Sequence, residues 1–547
     1  MLFASQNFVF FLIVLIFLYY GPCRKFQWQL ILLASYIFYY FSGVTNLFYI
    51  AFTTVTTYLL TRAMQKVSDE TSAFLKSHKE DMSREERKEY KASRKKILGR
   101  LLFLDILCNI GLLAVVKYTN FTISNINAVM SAFGSKNVLG FWDIALPMGI
   151  SFYVFQSVGY AIDVYRGKVR AERNFFKLAC FISFFPQLVQ GPISRFDDLT
   201  ETLFARHEYD FDRVKSGALR VLWGFFKKLV IADRLLVAVN TIIHDPENYY
   251  GAFVFVGMVF YGIELYADFT GGIDITIGVA EILGIRVKEN FKRPYFSKSI
   301  KEFWNRWHIT MGTWFTDYIF YPLSVSKWML KLSHNSREKL GDKFGKRVPV
   351  YLSSLIVWFA TGLWHGASWN FIVWGIGNFV IIMISQELTP FYRWFHSKCN
   401  VEGKKSWSAF QIIRTIFIMS SLRTFDCYRD VPLTFRMYGS MFTHANFGNV
   451  IASWNTLGLE ASDYVVVMLG VILMFAVSMI SRGVGMGEYT ELVSGDIRPA
   501  EASARGKLFA KGYWTQFAVI FLLFLVVLIF GNYGIGFDSS QFIYNQF

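Results

Sequence analysis

The sequence predicts an all-α protein that crosses a membrane many times, and three observations carry that prediction. Apolar stretches of about the length of a membrane helix recur along the whole chain. Of 547 residues, 54% are hydrophobic and 18% aromatic against 18% charged, and the mean hydropathy is +0.34. The formal net charge of +16 lies mostly between the apolar stretches, as in loops that follow the positive-inside rule. Nucleic-acid binding would need a basic face on a soluble module, so the charge pattern argues against that class. Five scattered cysteines (Cys23, Cys108, Cys180, Cys399, Cys427) form no CxxC pair and signal neither a disulfide framework nor a zinc site.

Residues 8–20 are apolar and end in Gly21-Pro22. They lack the basic flank and small-residue cleavage site of a secretory signal and read as the first membrane helix. Residues 28–41 and 47–60 follow as the second and third. The first connection holds Arg24 and Lys25, the second holds no charge, and residues 62–100 are dense in Lys and Arg. That alternation puts the amino terminus outside and the dense stretch in the cytoplasm. The stretch is predicted helical, with Asp81 three positions before Arg84 and Glu85 three before Lys88, and reads as a solvated charged linker. Further apolar segments cover residues 101–116, 142–160, 175–189, 219–239, 252–266, 273–283, 315–323, 348–385, 412–422, 464–480 and 517–530. Several are shorter than a full span, so about 11 to 13 transmembrane or re-entrant helices are expected, some of them broken. The organisation expected is N-terminal membrane helices in 1–61, the charged linker in 62–100, a core in 101–400 and C-terminal membrane helices in 401–547.

Two stretches carry chemistry. Residues 348–385 contain one imidazole, His365, in an apolar run too long for one span. The break is expected at Gly362-Leu363-Trp364-His365-Gly366, because paired glycines relax the backbone. An ionisable group at such a break is a candidate functional residue. Residues 266–322 open with Tyr266 and Asp268, near further carboxylates at Glu264, Asp274 and Glu281 in apolar surroundings. Burial of these carboxylates demands partners, and the simpler account is that they cap broken helices or meet Lys and Arg of the following loop. The basic and aromatic residues from Arg286 to Lys301 read as a segment at the cytoplasmic interface, aromatic side in lipid. Ser299 and Glu302 have the spacing of a capping box, so a helix is predicted from Ile300 through His308, with Trp304, Asn305 and His308 on one side.

Both His308 and His365 sit beside Trp in segments that could lie at membrane depth, whereas the other six histidines fall in polar connections. No HxxxH, HExxH or Cys/His cluster lies near either, which leaves a metal weakly supported. There is no GxSxG elbow for a nucleophilic serine. General base catalysis remains: a neutral imidazole in a dry channel can take the proton of an acceptor hydroxyl or thiol as it attacks an activated acyl carbonyl. Exclusion of water would also protect a thioester donor.

Three runs in this chain carry a family resemblance: residues 266–322, GLWHGASWNF at 362–371, and FFPQLVQGPISR at 184–195. They resemble the membrane-bound O-acyltransferase family, and within it the bacterial branch that acetylates alginate or D-alanylates teichoic acid. The resemblance implies a ring of membrane helices around a central channel, in a multi-pass protein of the bacterial cell membrane, with residues 101–400 as the catalytic core. It implies that His365 is the catalytic histidine and that His308 is a second active-site position. Trp304, Asn305, Trp364, Asp317, Asp268 and Tyr266 are the candidate substrate-binding or channel residues. Thr316-Asp317-Tyr318 departs from the Arg-Asp-Tyr common in relatives, and Ser324 to Lys327 replaces their Gly-rich turn. Those departures bear on the donor or partner surface more than on the histidines.

No bound cofactor or metal is expected. The acyl thioester donor, acetyl-CoA or an acyl carrier protein, is a substrate reached from the cytoplasm. Segments beyond Ser406 and the terminal run at 542–547 resemble the alginate-type members. Acetyl transfer toward an exported polysaccharide through a separate extracytoplasmic acetyltransferase is the reading they favour, with D-alanyl transfer to teichoic acid as the alternative. A transporter or polysaccharide export channel, with buried Asp, Glu and His relaying protons, is the reading from a different class.

Overall fold

The computed structural model describes residues 5–135, 138–481, 490–493 and 496–533; the terminal run at 542–547 lies outside them. The chain forms two compact units, residues 1–214 with 280–287, and residues 215–279 with 288–547.

The first unit opens with α1 (Gln6–Tyr20) and α2 (Gln27–Tyr40). At the end of α1, Tyr19 and Tyr20 donate their hydroxyls to the carbonyls of Leu283 and Ile282, at 3.0 and 2.6 Å. Helix α3 (Val44–Ser77) and α4 (Arg84–Ala132) both continue through the charged stretch. No Gly or Pro interrupts residues 61–98, so helix propagates out of the apolar part without a breaker. Asp81 falls in the turn between the two helices, and Ser83 with Glu86 closes a capping box that starts α4. Deeper in the hairpin, Asn109 donates to the Thr57 hydroxyl at 3.2 Å. The apolar segment 142–160 becomes helical only at α5 (Ile150–Tyr165). Gly149, at φ 71°, turns the chain there, and a Cβ on it would lie 1.9 Å from the Leu188 carbonyl oxygen. Segment 175–189 divides into α6 (Phe175–Ser183) and α7 (Phe185–Leu188), which has Pro186 in its first turn, and α8 (Phe196–Leu203) follows.

The second unit takes most of α9 (Phe211–Phe225), which runs through a π-helical turn, Phe226–Ala232, into α10 (Asp233–His244). The two segments expected at 252–266 and 273–283 are one helix, α11 (Ala252–Ile282). Gly271 does not break it; the residue serves close approach instead, since a Cβ there would meet the Gly224 carbonyl oxygen at 2.9 Å.

The stretch after α11 corrects the interfacial reading. Phe291 and Tyr295 are buried in protein among Tyr266 and Trp307 rather than turned to lipid. The helix predicted from Ile300 through His308 also stops early. Helix α12 (Ile300–Trp304) is a single turn, capped by Ser299, and α13 (Ile309–Phe315) starts afresh.

A second π-helical turn, Thr316–Phe320, and α14 (Tyr321–Ser324) lead to α15 (Lys327–Gly345). Helices α16 (Val348–His365) and α17 (Trp369–Glu387) make the expected pair broken at Gly366. The chain continues through α18 (Thr389–Cys399), α19 (Lys405–Tyr428), α20 (Val431–Thr443), α21 (Phe447–Ala452) and α22 (Ala461–Ile480). A two-stranded antiparallel hairpin, β1 (Thr490–Val493) and β2 (Asp496–Pro499), precedes α23 (Ala504–Phe509) and α24 (Tyr513–Phe530).

Among the described residues, six helices are long and apolar enough to cross a membrane: α4, α11, α16, α17, α22 and α24. The chain is thus an all-α multi-pass membrane protein apart from one small hairpin. Of the most apolar window, 67% is buried in α11 but 6% in α24, so α11 is a core helix and α24 is left largely uncovered by the described residues. Several other apolar segments expected at membrane depth are short or broken helices, as α12 to α14 illustrate.

Candidate active site

His365 is the last residue of α16 and is 4% exposed. Its position follows from how closely α16 and α17 meet. A Cβ on Gly362 would lie 2.5 Å from the Phe371 carbonyl oxygen, and one on Gly375 would lie 2.4 Å from that of Trp358. Two glycines facing backbone let the helices approach until side chains of α17 enclose the imidazole. The His365 ring lies 4.7 Å from Trp374 edge to face and 6.3 Å from Phe371 in a stacked arrangement.

His308 is fully buried and held differently. Its backbone is left-handed, at φ 48° and ψ 52°, which ends the short helical turn and aims the ring inward from the start of α13. Backbone pairing fixes this corner: Lys292 N–H donates to the Arg306 carbonyl at 2.9 Å, and Ile309 N–H to that of Asn290 at 3.0 Å. The Asn290 side-chain oxygen accepts from the Thr310 N–H at 3.1 Å and from its hydroxyl at 2.9 Å, and His308 Nδ1 lies 3.3 Å away. An oxygen that already accepts two hydrogen bonds requires Nδ1 to carry the proton, which leaves the lone pair on Nε2. His308 lies outside the six candidate spans. Burial above all, and then the Arg423 guanidinium, push its pKa down to about 3, so the ring is neutral.

The two imidazoles share one neighbour, Trp364. Its ring is 5.8 Å from His308 and 5.1 Å from His365, edge to face with both. Trp304 belongs to the same aromatic wall, 5.8 Å from Trp374 and 4.8 Å from Trp358. Tyr266 approaches from α11, 6.2 Å from Trp307, while Phe269 meets the His308 ring at 5.0 Å.

The remaining predicted site residues stand apart from this wall. Asn305 is exposed at the end of α12, and the shared helix face predicted for it with Trp304 and His308 does not exist, because the left-handed residue breaks the helix between them. Asp268 is fully buried but ion-paired with Lys228 at 2.7 Å, and Lys228 also holds Asp233 at 2.8 Å. Asp274 meets Lys227 at 2.6 Å and Arg220 at 2.9 Å. These carboxylates do find basic partners, which come from the preceding helix and its π turn rather than from the following loop. Asp317 is half-buried on the second π turn, which packs against α16.

A pair on α19 escaped the sequence reading. Arg423 donates to Asp426 at 2.7 Å with both side chains buried. The guanidinium lies 4.5 Å from the centre of Trp374, 5.5 Å from Trp307 and 5.9 Å from Trp304, within reach of a cation–π attraction to each. The signal was available as opposite charges three apart in an otherwise apolar run. Asn290 offered none, since its role depends on backbone pairing. Among the described residues, no group of three or more His, Cys, Asp or Glu is placed to hold a metal ion.

An aromatic-walled pair of buried imidazoles on an all-α membrane scaffold defines a candidate acyl-transfer centre, and the sequence comparisons agree with that class. The model of MBOAT, the membrane-bound O-acyltransferase family, matches residues 168–336. The chain is 30% identical to the probable alginate O-acetylase AlgI of Pseudomonas aeruginosa over 471 residues, which cover 86% of this chain and 80% of that protein. It belongs to the membrane-bound O-acyltransferase family and is an O-acyltransferase. The probable alginate O-acetylase AlgI of Pseudomonas syringae is 34% identical over 378 residues, 69% of this chain and 64% of that protein. The teichoic acid D-alanyltransferase of Bacillus subtilis is 28% identical over 260 residues, 46% of this chain and 62% of its own.

Proposed function

We propose that this protein moves an acetyl group from a cytoplasmic thioester donor, acetyl-CoA or an acyl carrier protein, across the bacterial cell membrane toward an exported polysaccharide. The observation that supports it most is the placement of two buried imidazoles against the one indole of Trp364, although the residues are 57 positions apart in sequence. In this reading His365 is the general base. It removes the proton of an acceptor hydroxyl or thiol as the new bond to the acyl carbon forms and the carbon–sulfur bond breaks, and the proton returns to the leaving thiolate. His308, neutral and with its lone pair on Nε2, assists by orienting the acceptor. The aromatic wall keeps out the water that would hydrolyse the thioester. Trp364, Trp304 and Tyr266 line the channel, with Asp317 toward the donor side. Asp268 supports Lys228, and Asn305 has no place at the reacting centre.

A separate extracytoplasmic acetyltransferase completes delivery to the polymer, and the amino terminus faces outward. D-alanyl transfer from a carrier protein to teichoic acid is the second reading, favoured by the similarity to the Bacillus subtilis protein. Membranes incubated with labelled acetyl-CoA and, separately, with D-alanyl carrier protein distinguish the two. Label from the carrier alone overturns acetyl transfer. Export of polymer that fails in His365→Ala, rather than export of polymer without acyl groups, would favour a transport function.

A further inference from the structure

The first unit buries a carboxylate that the acyl-transfer centre does not use. Asp105 lies on α4, one of the six candidate spans, near the start of the apolar segment 101–116, and is fully buried. An ionisable group in such a place is a candidate functional residue, because no bulk water is there to solvate its charge.

Its surroundings are neutral. The Asp105 carboxyl lies beside the side chains of Thr57 on α3 and of Asn109 one turn further along α4, and no Lys or Arg among the described residues interacts with it. Arg62, the next basic residue along α3, donates to the Ala171 carbonyl at 3.2 Å instead. An ionised carboxylate left in this position without a counter-charge would be costly.

Oxygen atoms gather here without bonding to one another. Both carboxyl oxygens of Asp105, the side-chain oxygen of Asn109 and the hydroxyl of Thr53 are buried and have no hydrogen-bond partner among the described residues. Asn109 spends its amide N–H groups on the Thr57 hydroxyl at 3.2 Å and on the Asp105 carbonyl at 3.0 Å, which leaves its oxygen idle. The threonines of α3 divide into two kinds. Thr54, Thr56 and Thr61 each return the hydroxyl to the carbonyl four residues earlier, at 2.7, 2.8 and 2.6 Å. Thr53 and Thr57 make no such bond, and one turn apart they share the face from which Thr57 meets α4.

One carboxylate among neutral oxygens is the donor set of a monovalent metal ion. Hard cations take oxygen ligands, and a divalent ion beside a single carboxylate would leave a net positive charge buried. No group of three or more His, Cys, Asp or Glu among the described residues is placed to offset that charge. A proton on Asp105 would also remove its charge, but it can serve one neighbouring oxygen and leaves the others idle.

We infer that Asp105, with Asn109, Thr53 and Thr57, binds an alkali cation between α3 and α4. The ion neutralises the buried carboxylate and gives the idle oxygens a common partner. These residues lie outside the matched residues 168–336, and the inference does not depend on the acyl-transfer reading.

The test measures binding of radioactive Na⁺ and, as a stand-in for K⁺, radioactive Rb⁺ to the full chain purified in detergent. It is run at about pH 8, where a carboxylate can ionise, with choline chloride holding the ionic strength constant. Saturable binding of about one ion per chain is expected for at least one of the two, and the same ion should raise the melting temperature. Asp105→Asn should abolish both effects while melting no lower than the unaltered chain in choline, because it removes a buried charge. Thr53→Val and Thr57→Val keep the side-chain shape and should each weaken binding roughly tenfold; they carry the test if Asp105→Asn fails to fold. Absence of saturable binding for both ions would overturn the inference and leave Asp105 a protonated acid. Binding that is unchanged in the variants that fold would overturn it as well, by placing the ion elsewhere.

Discussion

The two histidines reach the same aromatic wall by opposite means. His365 is placed by packing: glycines at 362 and 375 bring two apolar helices together, and Trp374 and Phe371 close on the ring. His308 is placed by polar bonds, through a left-handed backbone, two backbone hydrogen bonds across to residues 290–292, and the Asn290 side chain. A hydrogen bond to one ring nitrogen fixes the tautomer as well. In the proposed reaction His365 moves the proton and His308 orients the acceptor, and that division can be broken from either side.

The largest expected effect is His365→Ala, which should lower acyl transfer by roughly 10²- to 10⁴-fold in a membrane assay with labelled donor. His308→Ala should cost less, mainly in acceptor KM. If the two variants lose activity equally in kcat, the division of labour is wrong.

Next comes Arg423→Met. It leaves Asp426 as an uncompensated buried carboxylate, and breaking such a pair costs about 3 to 5 kcal/mol, read as a fall in melting temperature in detergent. The double variant Arg423→Met, Asp426→Leu should recover most of that stability. Recovery of activity with it would show that the cation matters to the fold alone.

Gly362→Ala acts on the packed side. The new methyl would lie 2.5 Å from a backbone oxygen that cannot swing away, so α17 must shift, at about 1 to 3 kcal/mol. Transfer should drop with stability. Asn290→Ala acts on the bonded side and frees the His308 tautomer; a change of kcat at unchanged KM would contradict an orienting role.

The smallest effect is in pH. With its folded pKa pushed down to about 3 against an unfolded value near 6.5, His308 binds a proton more readily in the unfolded chain. Its stabilising contribution is whole above about pH 6.5 and is lost as pH falls toward 3, with a slope approaching 1.4 kcal/mol per unit. Asn290→Asp puts a carboxylate beside Nδ1 and raises that pKa, so its transfer activity should decline at a higher pH than that of the unaltered chain. Identical pH profiles would show that Nδ1 does not bond to residue 290.

Where the sequence reading held, the chemistry was local. The break at Gly366 with His365 at the helix end follows from glycine in an apolar run, and the charged stretch is helical on both sides of its turn, as its residues predict. Where it failed, distant backbone intervened. Residues 252–266 and 273–283 read as two segments until the Gly224 carbonyl is seen against Gly271 within one helix, and the helix through His308 reads as continuous until strand-like pairing with residues 290–292 turns it. Asn305 was placed at the site only through that continuous helix.

By itself the sequence determined that this chain is helical, lies in a membrane, and carries two imidazoles beside tryptophans, because hydropathy, breakers and residue chemistry are written residue by residue. Only the tertiary structure decided that one indole meets both rings, that Asn290 sets a tautomer, that Lys228 claims Asp268, and that Arg423 stands behind the aromatic wall. Each of those depends on which surfaces meet, and burial and pairing across tens or hundreds of residues are properties of the folded chain that no local pattern encodes.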